Sequence, residues 1–493
     1  MNTATEIHNL ALSYLKEEKF TEALPFLQKL VSANPGDAKV RMYLGYTQAR
    51  LSHFESAIKN TATAWEQLPS PHSQSEYSMR AYTLYFSGVQ DNASTLVEQG
   101  LALFPNEPKL EHLQARIAIQ QKDYDKAEAI YFKRYSNSDS SIDTIMGIGR
   151  LAKLKRTEEK AIQFFQNHLK LHNTDPHSSQ IIHFQLGNLY DGIQDYGQAF
   201  HHYEIANRLE KHSFDGLLLK SATKDTIKHW TRERISQLPH LTEDESLPRI
   251  VQLVGSPRSG STLLEKMLQK HPQIQTGGEL SWLHKACAEQ DPVGIKKYNM
   301  VRHSRNTNKS SLEMISSAYQ DGLASQSCDN IFVDKNLGNH ALLQFTQMSL
   351  ANAKAIWTRR NPIDSCLSAY FQNFSDINHL WSNLAKIPHM YNSQVQLMKH
   401  WQEVLDLPIL EVHYEQVIQN PEKATQDLFK FLDLEWSDDC LSFHESSQPA
   451  LTASIDQVAQ PLYSHAVERW KNYEPYIQPL ISGLEVYGHL DGI

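Results

Sequence analysis

Scaffolding chemistry is scarce in this 493-residue chain. Its 4 cysteines, Cys287, Cys328, Cys366 and Cys440, stand singly with no C-x-x-C pair. That excludes a disulfide framework and a zinc-ribbon spacing and predicts buried thiols in a reducing compartment. The 24 histidines form no H-E-x-x-H or similar ligand spacing, so no metal is expected. A positive excess is missing too. Lys and Arg number 47 against 56 Asp and Glu, a formal charge of −9, which argues against a nucleic-acid coat or a polybasic membrane anchor and leaves room only for local basic pockets. No run of about eighteen consecutive apolar residues occurs, and the start MNTATEIHNLALSYLKEEKF has no basic segment leading into an apolar one. These absences predict a soluble, unexported, cytoplasmic protein with neither membrane nor nucleic acid as partner.

What is present first is a period. Leu10, Phe20, Ala23 and Pro35 recur 34 residues later as Leu44, Phe54, Ala57 and Pro69. Ile7, Leu10, Ala11 and Tyr14 stripe one helix, Ala23, Leu27 and Leu30 a second, and Asn34-Pro35 ends it. The register continues through Ala93, Pro105, Ala115, Tyr124, Ala127, Tyr131, Gly149, Ala161 and Phe165, and returns at Leu186, Gly187, Tyr190, Tyr196, Ala199, Tyr203 and Ala206. About six helix pairs over residues 1–208 resemble tetratricopeptide repeats, which implies a stacked solenoid whose concave face can hold an extended partner.

After a polar connector containing TEDESLP the pattern changes at Arg249. Ile250-Val251-Gln252-Leu253-Val254 reads as a buried strand, and Leu263, Leu264, Met267 and Leu268 fall on one helical face. Between them lies Gly255-Ser256-Pro257-Arg258-Ser259-Gly260-Ser261-Thr262. Strand, glycine-bounded loop and helix aim backbone N–H groups and a positive helix end at one point, where Arg258, Ser259, Ser261 and Thr262 add side-chain donors. A phosphate is the expected guest. Gly255, Gly260 and Thr262 fit the nucleotide P-loop G-x-x-x-x-G-K-[ST], but Ser261 replaces the lysine that reaches the β/γ-phosphates, which argues against NTP hydrolysis.

The run Pro257-Arg258-Ser259-Gly260-Ser261-Thr262 also resembles the 5′-phosphosulfate loop of sulfotransferases, P-R-S-G-[ST]-T, whose donor is 3′-phosphoadenylyl sulfate. Further segments follow in the order found in tyrosylprotein sulfotransferases. His271-Pro272 and Gly277-Gly278-Glu279 imply Glu279 as general base. The run Ala353 to Pro362, with Ser368 eight positions after Arg360, is similar to the family's 3′-phosphate site, and either Arg359 or Arg360 can be the gripping arginine. Gln372 stands where the family often has a second arginine. Tyr414, in Ile409-Leu410-Glu411-Val412-His413-Tyr414-Glu415, would lie against the nucleotide. Ser454 to Pro461, with Gln457 and Val458, resembles a segment that closes over the donor and leads to Arg469-Trp470. By the same resemblance Lys335, after the probable strand Ile331-Phe332-Val333, and Ser454 would serve the bridging oxygen.

The expected architecture is therefore α/β: an all-α tetratricopeptide solenoid over 1–208, a helical, polar connector over 209–248, and a P-loop-like sulfotransferase domain with a central parallel sheet over 249–493. The implied activity moves a sulfuryl group from 3′-phosphoadenylyl sulfate to a hydroxyl, such as a protein tyrosine, another phenol or a sugar, with the repeats recruiting acceptor or partner. Two alternatives stand beside it. A P-loop nucleotide kinase is disfavoured by Ser261, and a non-catalytic repeat adaptor with a relic nucleotide domain by the presence together of Arg258, Glu279, Lys335, Arg360 and Ser368.

Overall fold

The computed structural model describes residues 4–51, 53–136, 141–171, 174–210, 214–242, 247–290, 307–323, 328, 330–374, 378–445 and 467–490. They form two compact units: Met1–Ser178 with Leu189–Gln194, and Ser179–Asn188 with Asp195–Ser446 and residues 467–490.

The first unit is helical, and its helices come in pairs: Ala4–Lys16 with Phe20–Ala33, Ala38–Arg50 with Phe54–Gln67, Gln74–Phe86 with Gln90–Leu103, Pro108–Gln120 with Tyr124–Ser136, and Ile142–Lys155 with Glu158–Leu171. Start signals sit where the sequence supplies them. Asp37 accepts from the Val40 N–H, and Ser73 with Glu76 closes a capping box. Small residues let neighbouring helices touch: a Cβ on Gly45 would lie 2.6 Å from Thr61 Cγ2 within one pair, and one on Gly147 would enter the ring of Tyr131 on the preceding pair. Ala11, Ala23, Leu27, Val40 and Leu44 make one buried cluster across successive helices, which is how each pair covers the next.

The repeat-like register runs on to residue 208, but the packing changes allegiance earlier. Tyr196–Arg208 belongs to the second unit. Within that unit Tyr203 fills the notch over Gly187, stacks on Phe371 at 4.0 Å between ring centroids, and Asn207 Nδ2 donates to the Tyr370 carbonyl at 2.9 Å. Tyr203, which marks the period here, is thus core of the α/β unit.

Five strands, β1 (Arg249–Gly255), β2 (Ile274–Thr276), β3 (Ile331–Asp334), β4 (Lys354–Arg359) and β5 (Ile409–His413), form one parallel sheet in the order β2-β3-β1-β4-β5. β1 is central, and Ile250 to Gly255 are buried, as its continuous apolar run requires. The cluster around Val251, Leu253, Met267, Leu268, Val333 and Ile356 is the core that fixes the loop helix Ser261–Leu268 to the sheet. From β1 the chain goes to the edge strand β2, returns to β3 beside β1, then crosses to β4 and β5 on the other side. Such a reversal opens a crevice at the carboxyl ends of the strands, where ligands of open α/β sheets bind. Ser256 follows β1, Gly277 follows β2, Lys335 β3, Arg360 β4 and Tyr414 β5, so residues far apart in sequence meet at one edge. Among the described residues no helix is long and apolar enough to cross a membrane.

Candidate active site

The loop after β1 is held from beneath. Thr358 on β4 donates to the Val254 carbonyl at 3.1 Å, and its Oγ1 lies 2.7 Å from Ser259 Oγ. Ser365 Oγ donates to the Pro257 carbonyl at 3.0 Å and Ser256 Oγ to Gln394 Oε1 at 2.5 Å. Ser259, expected as a donor to the anion, therefore spends its buried hydroxyl on the loop's own frame. Gly255 and Gly260 are needed sterically: a Cβ on the first would meet Thr358 Oγ1 at 2.2 Å, and one on the second, at φ +94°, would meet Tyr414 Cδ2 at 2.6 Å. Arg258 itself adopts φ +67°, an uncommon conformation for a residue other than glycine, held between flanks whose hydroxyls and carbonyls are hydrogen-bonded. Ser261 and Thr262 open the helix Ser261–Leu268, whose first-turn N–H groups have no intrahelical acceptor.

A second arginine converges on this loop. Arg360 Nη1 donates to the Arg258 carbonyl at 3.2 Å, and its guanidinium carbon sits 4.9 Å from the Tyr414 ring centroid. Arg258 Nε donates to Ser368 Oγ at 3.1 Å. Ser368 is delivered by the helix Pro362–Tyr370, which Asn361 caps by accepting from the Ile363 and Asp364 N–H groups, with Pro362 at its first position. Strand alternation separates the two adjacent arginines. Arg359 turns the other way, pairing with Glu411 Oε1 at 2.7 Å and stacking on Trp357 at 4.8 Å. The Glu411 carboxyl is pushed down to about 2 by hydrogen bonding from His413 and Arg359.

Asp364 extends the cluster. Its oxygens accept from the backbone N–H of Glu468 at 2.7 Å and of Trp470 at 2.9 Å, so the Arg469 segment is tied to the helix beside Arg360. Arg469 lies over the Phe371 ring at 5.7 Å. Burial raises the Asp364 carboxyl while Arg360, 3.9 Å away, pulls it down.

At the ends of β2 and β3 stands a lysine between two carboxylates. Lys335 has a side chain 1% exposed, with Nζ 3.1 Å from Glu265 Oε2 and 3.3 Å from Glu279 Oε1. Burial acts to lower the lysine, but the attraction of Glu265 and then Glu279 outweighs it and the net direction is upward. The turn carrying Glu279 is strapped on both sides: the Lys335 N–H donates to the Gly278 carbonyl at 3.0 Å, and Asn336 Nδ2 donates to the Leu280 carbonyl. The Glu279 side chain is 61% exposed, so the base candidate faces outward from a fixed backbone. Beneath it Asp334, fully buried, accepts from Tyr319 at 2.7 Å and Asn339 at 3.1 Å, and burial lifts its carboxyl to about 7.

Arg258, Gly260, Ser261, Thr262, Arg360, Ser368 and Tyr414 thus form one cluster, Lys335 and Glu279 a second, and Arg469 adjoins the first through its backbone. Ser454, Gln457 and Val458 lie outside the described residues. Sequence reading missed Glu265, Asp364, Asn336 and Thr358. Glu265 had a signal, being one helical turn on from Ser261 and Thr262 and so on the face that begins at the loop. Among the described residues no group of three or more His, Cys, Asp or Glu is arranged to hold a metal ion.

Residues 249–438 match the model of the sulfotransferase family, and residues 8–70 that of the tetratricopeptide repeat. The chain therefore carries a sulfotransferase-family domain behind tetratricopeptide repeats. Among similar proteins, an uncharacterized protein of Aquifex aeolicus is 29% identical over 61% of this chain. The protein-tyrosine sulfotransferase of Drosophila melanogaster is 22% identical over 51%, and protein-tyrosine sulfotransferase A of Caenorhabditis elegans 24% over 48%. The aligned stretches cover 41, 54 and 65% of those relatives, less than two thirds of each. A solved sulfotransferase domain from the Synechococcus PCC 7002 olefin synthase aligns at a TM-score of 0.36 and 16% identity, covering 51% of this chain and 98% of that domain.

Proposed function

We propose that the chain transfers a sulfuryl group from 3′-phosphoadenylyl sulfate to a hydroxyl acceptor, with the tetratricopeptide repeats holding the acceptor or a partner. The observation that carries this reading is the meeting of two arginine-bearing elements, the glycine loop after β1 and the end of β4, with a lysine–carboxylate pair at the carboxyl edge of one parallel sheet. The chain's own groups suit such a donor at both ends. Arg258 and the first-turn amides of Ser261–Leu268 serve a 5′-phosphosulfate, Arg360 and Ser368 a 3′-phosphate, and Tyr414 offers a flat face beside them. Gly260 keeps the loop close to that face, since any side chain there collides with Tyr414.

The donor supplies the sulfuryl group and departs as 3′,5′-adenosine bisphosphate. The rest is the protein's work. Glu279 accepts the proton of the acceptor hydroxyl as the new S–O bond forms, a role worth roughly 10²–10⁴ in rate. Lys335, kept charged by its carboxylate neighbours, neutralises the negative charge that grows on the leaving phosphate oxygen. In-line displacement with charge spread over peripheral oxygens draws mainly on such preorganised donors. Ser454, Gln457 and Val458 are assigned supporting places around the donor by resemblance alone, Arg469 by resemblance and by its tether to Asp364. Likeness to protein-tyrosine sulfotransferases favours a phenolic acceptor such as tyrosine.

Calorimetry tests the donor half. The bisphosphate should bind far more tightly than 5′-AMP or ATP; equal affinity for bisphosphate and 5′-AMP would mean that no 3′-phosphate site exists.

A further inference from the structure

Glu265 lies closer to Lys335 than the proposed base does, and the two carboxylates are unlike. Glu265 projects from the loop helix with a side chain 9% exposed, whereas Glu279 is 61% exposed on a turn. An exposed turn leaves Glu279 room to swing from the lysine toward a bound acceptor, whereas burial holds Glu265 at the ammonium. A buried ammonium without a counter-charge is strongly disfavoured, and removing one member of such a pair leaves the other uncompensated. For Glu279 to take a proton it must be released by Lys335, and for Lys335 to serve the leaving group it must stay charged during that release. A second carboxylate that remains at the ammonium meets both requirements, adding to whatever counter-charge the donor's own phosphate supplies.

We propose that Glu265 is a positioning residue, the permanent counter-ion that keeps Lys335 charged and aimed while Glu279 moves between Lys335 and the acceptor hydroxyl. Its consequence for turnover rests on the sulfuryl-transfer reading, but the ion pairing itself does not. Among the described residues, the groups facing Lys335 are Glu265 and Lys266 on the loop helix and Glu279 on the turn after β2; Lys266 opposes its charge and the two carboxylates support it. Asp334, its neighbour on β3, is committed to Tyr319 and Asn339.

The test follows the ionisation of Lys335 by NMR of isotope-labelled lysine in the full chain, beside the pH profile of kcat. In Glu265→Gln the Lys335 midpoint should fall by about one pH unit or more, the alkaline limb of kcat should move to lower pH with it, and turnover should drop about tenfold or more. Glu265→Asp, which keeps the charge, should hold the midpoint near that of the unmodified chain. Bisphosphate affinity, which depends on Arg258 and Arg360, checks that each variant is folded. A folded Glu265→Gln protein in which Lys335 titrates unchanged overturns the proposal. If that variant does not fold, Glu279→Gln decides: with Glu265 then the carboxylate left at the ammonium, a Lys335 midpoint that falls below the ordinary lysine range overturns the proposal, and one that stays at or above it upholds it. Absence of transfer in the unmodified chain would count against the sulfuryl-transfer reading alone, because the titration needs no turnover.

Discussion

Arg258 and Ser368 share a hydrogen bond, Nε to Oγ at 3.1 Å, although one lies in the loop after β1 and the other on the helix after β4. The contact ties the proposed 5′ and 3′ ends of the donor site into one frame, with Arg360 bridging to the Arg258 carbonyl from the same side.

Arg360→Ala should lose about 1.5–3 kcal/mol of bisphosphate affinity while 5′-AMP is little affected, as expected for one charge-assisted hydrogen bond. Arg359→Ala, which breaks the pair with Glu411 on the other face, should leave both affinities near their original values. Calorimetry on the two variants checks this; the opposite pattern would assign the 3′-phosphate to Arg359.

Glu279→Gln should lower kcat by roughly 10²–10⁴ with donor affinity and thermal stability retained, because an exposed turn residue contributes little to packing and the amide preserves shape. Turnover and bisphosphate affinity measured together decide the matter. An unchanged kcat removes Glu279 from the chemistry.

The loop was legible because its chemistry is local: six consecutive residues after an apolar run carry both the backbone turn and the side-chain donors. The same holds for Arg360 with Ser368, which share a strand end and the helix that follows, and for Tyr414 after β5. Glu265, Asp364 and Asn336 were hidden because their roles exist only across the sheet. In sequence Glu265 is one polar position on an amphipathic helix, and nothing in Ser261–Leu268 announces a buried lysine arriving from β3. Sequence alone left Arg359 and Arg360 equivalent; the pairing of Arg359 with Glu411 on β5 is what favours Arg360 in the proposed 3′-phosphate site. The 34-residue period likewise could not reveal that Tyr203 and Asn207 pack on Phe371 and Tyr370, since repeat aromatics look alike whichever surface they cover.

Stability should carry a pH signature from Asp334. Burial raises its carboxyl to about 7, above its unfolded value near 4, so the folded chain holds an extra proton in that window. The contribution of this group to stability is fully present below about pH 4 and is lost as pH rises through about 7. Asp334→Asn abolishes the titration, so the stability of the variant relative to the original should increase from about pH 5 to about pH 8. Urea midpoints at the two values test this, and an identical difference at both would contradict it.

Truncation should respect the packing of Tyr196–Arg208. A fragment starting at Pro176 keeps the Tyr203–Phe371 stack and the Asn207 bond to Tyr370, and should bind bisphosphate like the full chain. A fragment starting near Gly216 uncovers Phe371 and Tyr370 and should be less stable and aggregate. Circular dichroism, light scattering and bisphosphate affinity compare them; equal behaviour of both fragments would show that the helix pair is dispensable to the α/β unit.

The most direct measurement is transfer itself: the full chain incubated with sulfur-labelled 3′-phosphoadenylyl sulfate and a small phenol, a sugar and a tyrosine peptide, with Glu279→Gln in parallel. Label should pass to a hydroxyl oxygen of at least one acceptor, most readily a phenol, with 3′,5′-adenosine bisphosphate released in equal amount and the variant nearly inactive. Tight bisphosphate binding with no label transferred to any hydroxyl, in these acceptors or in a cell extract, would contradict the account.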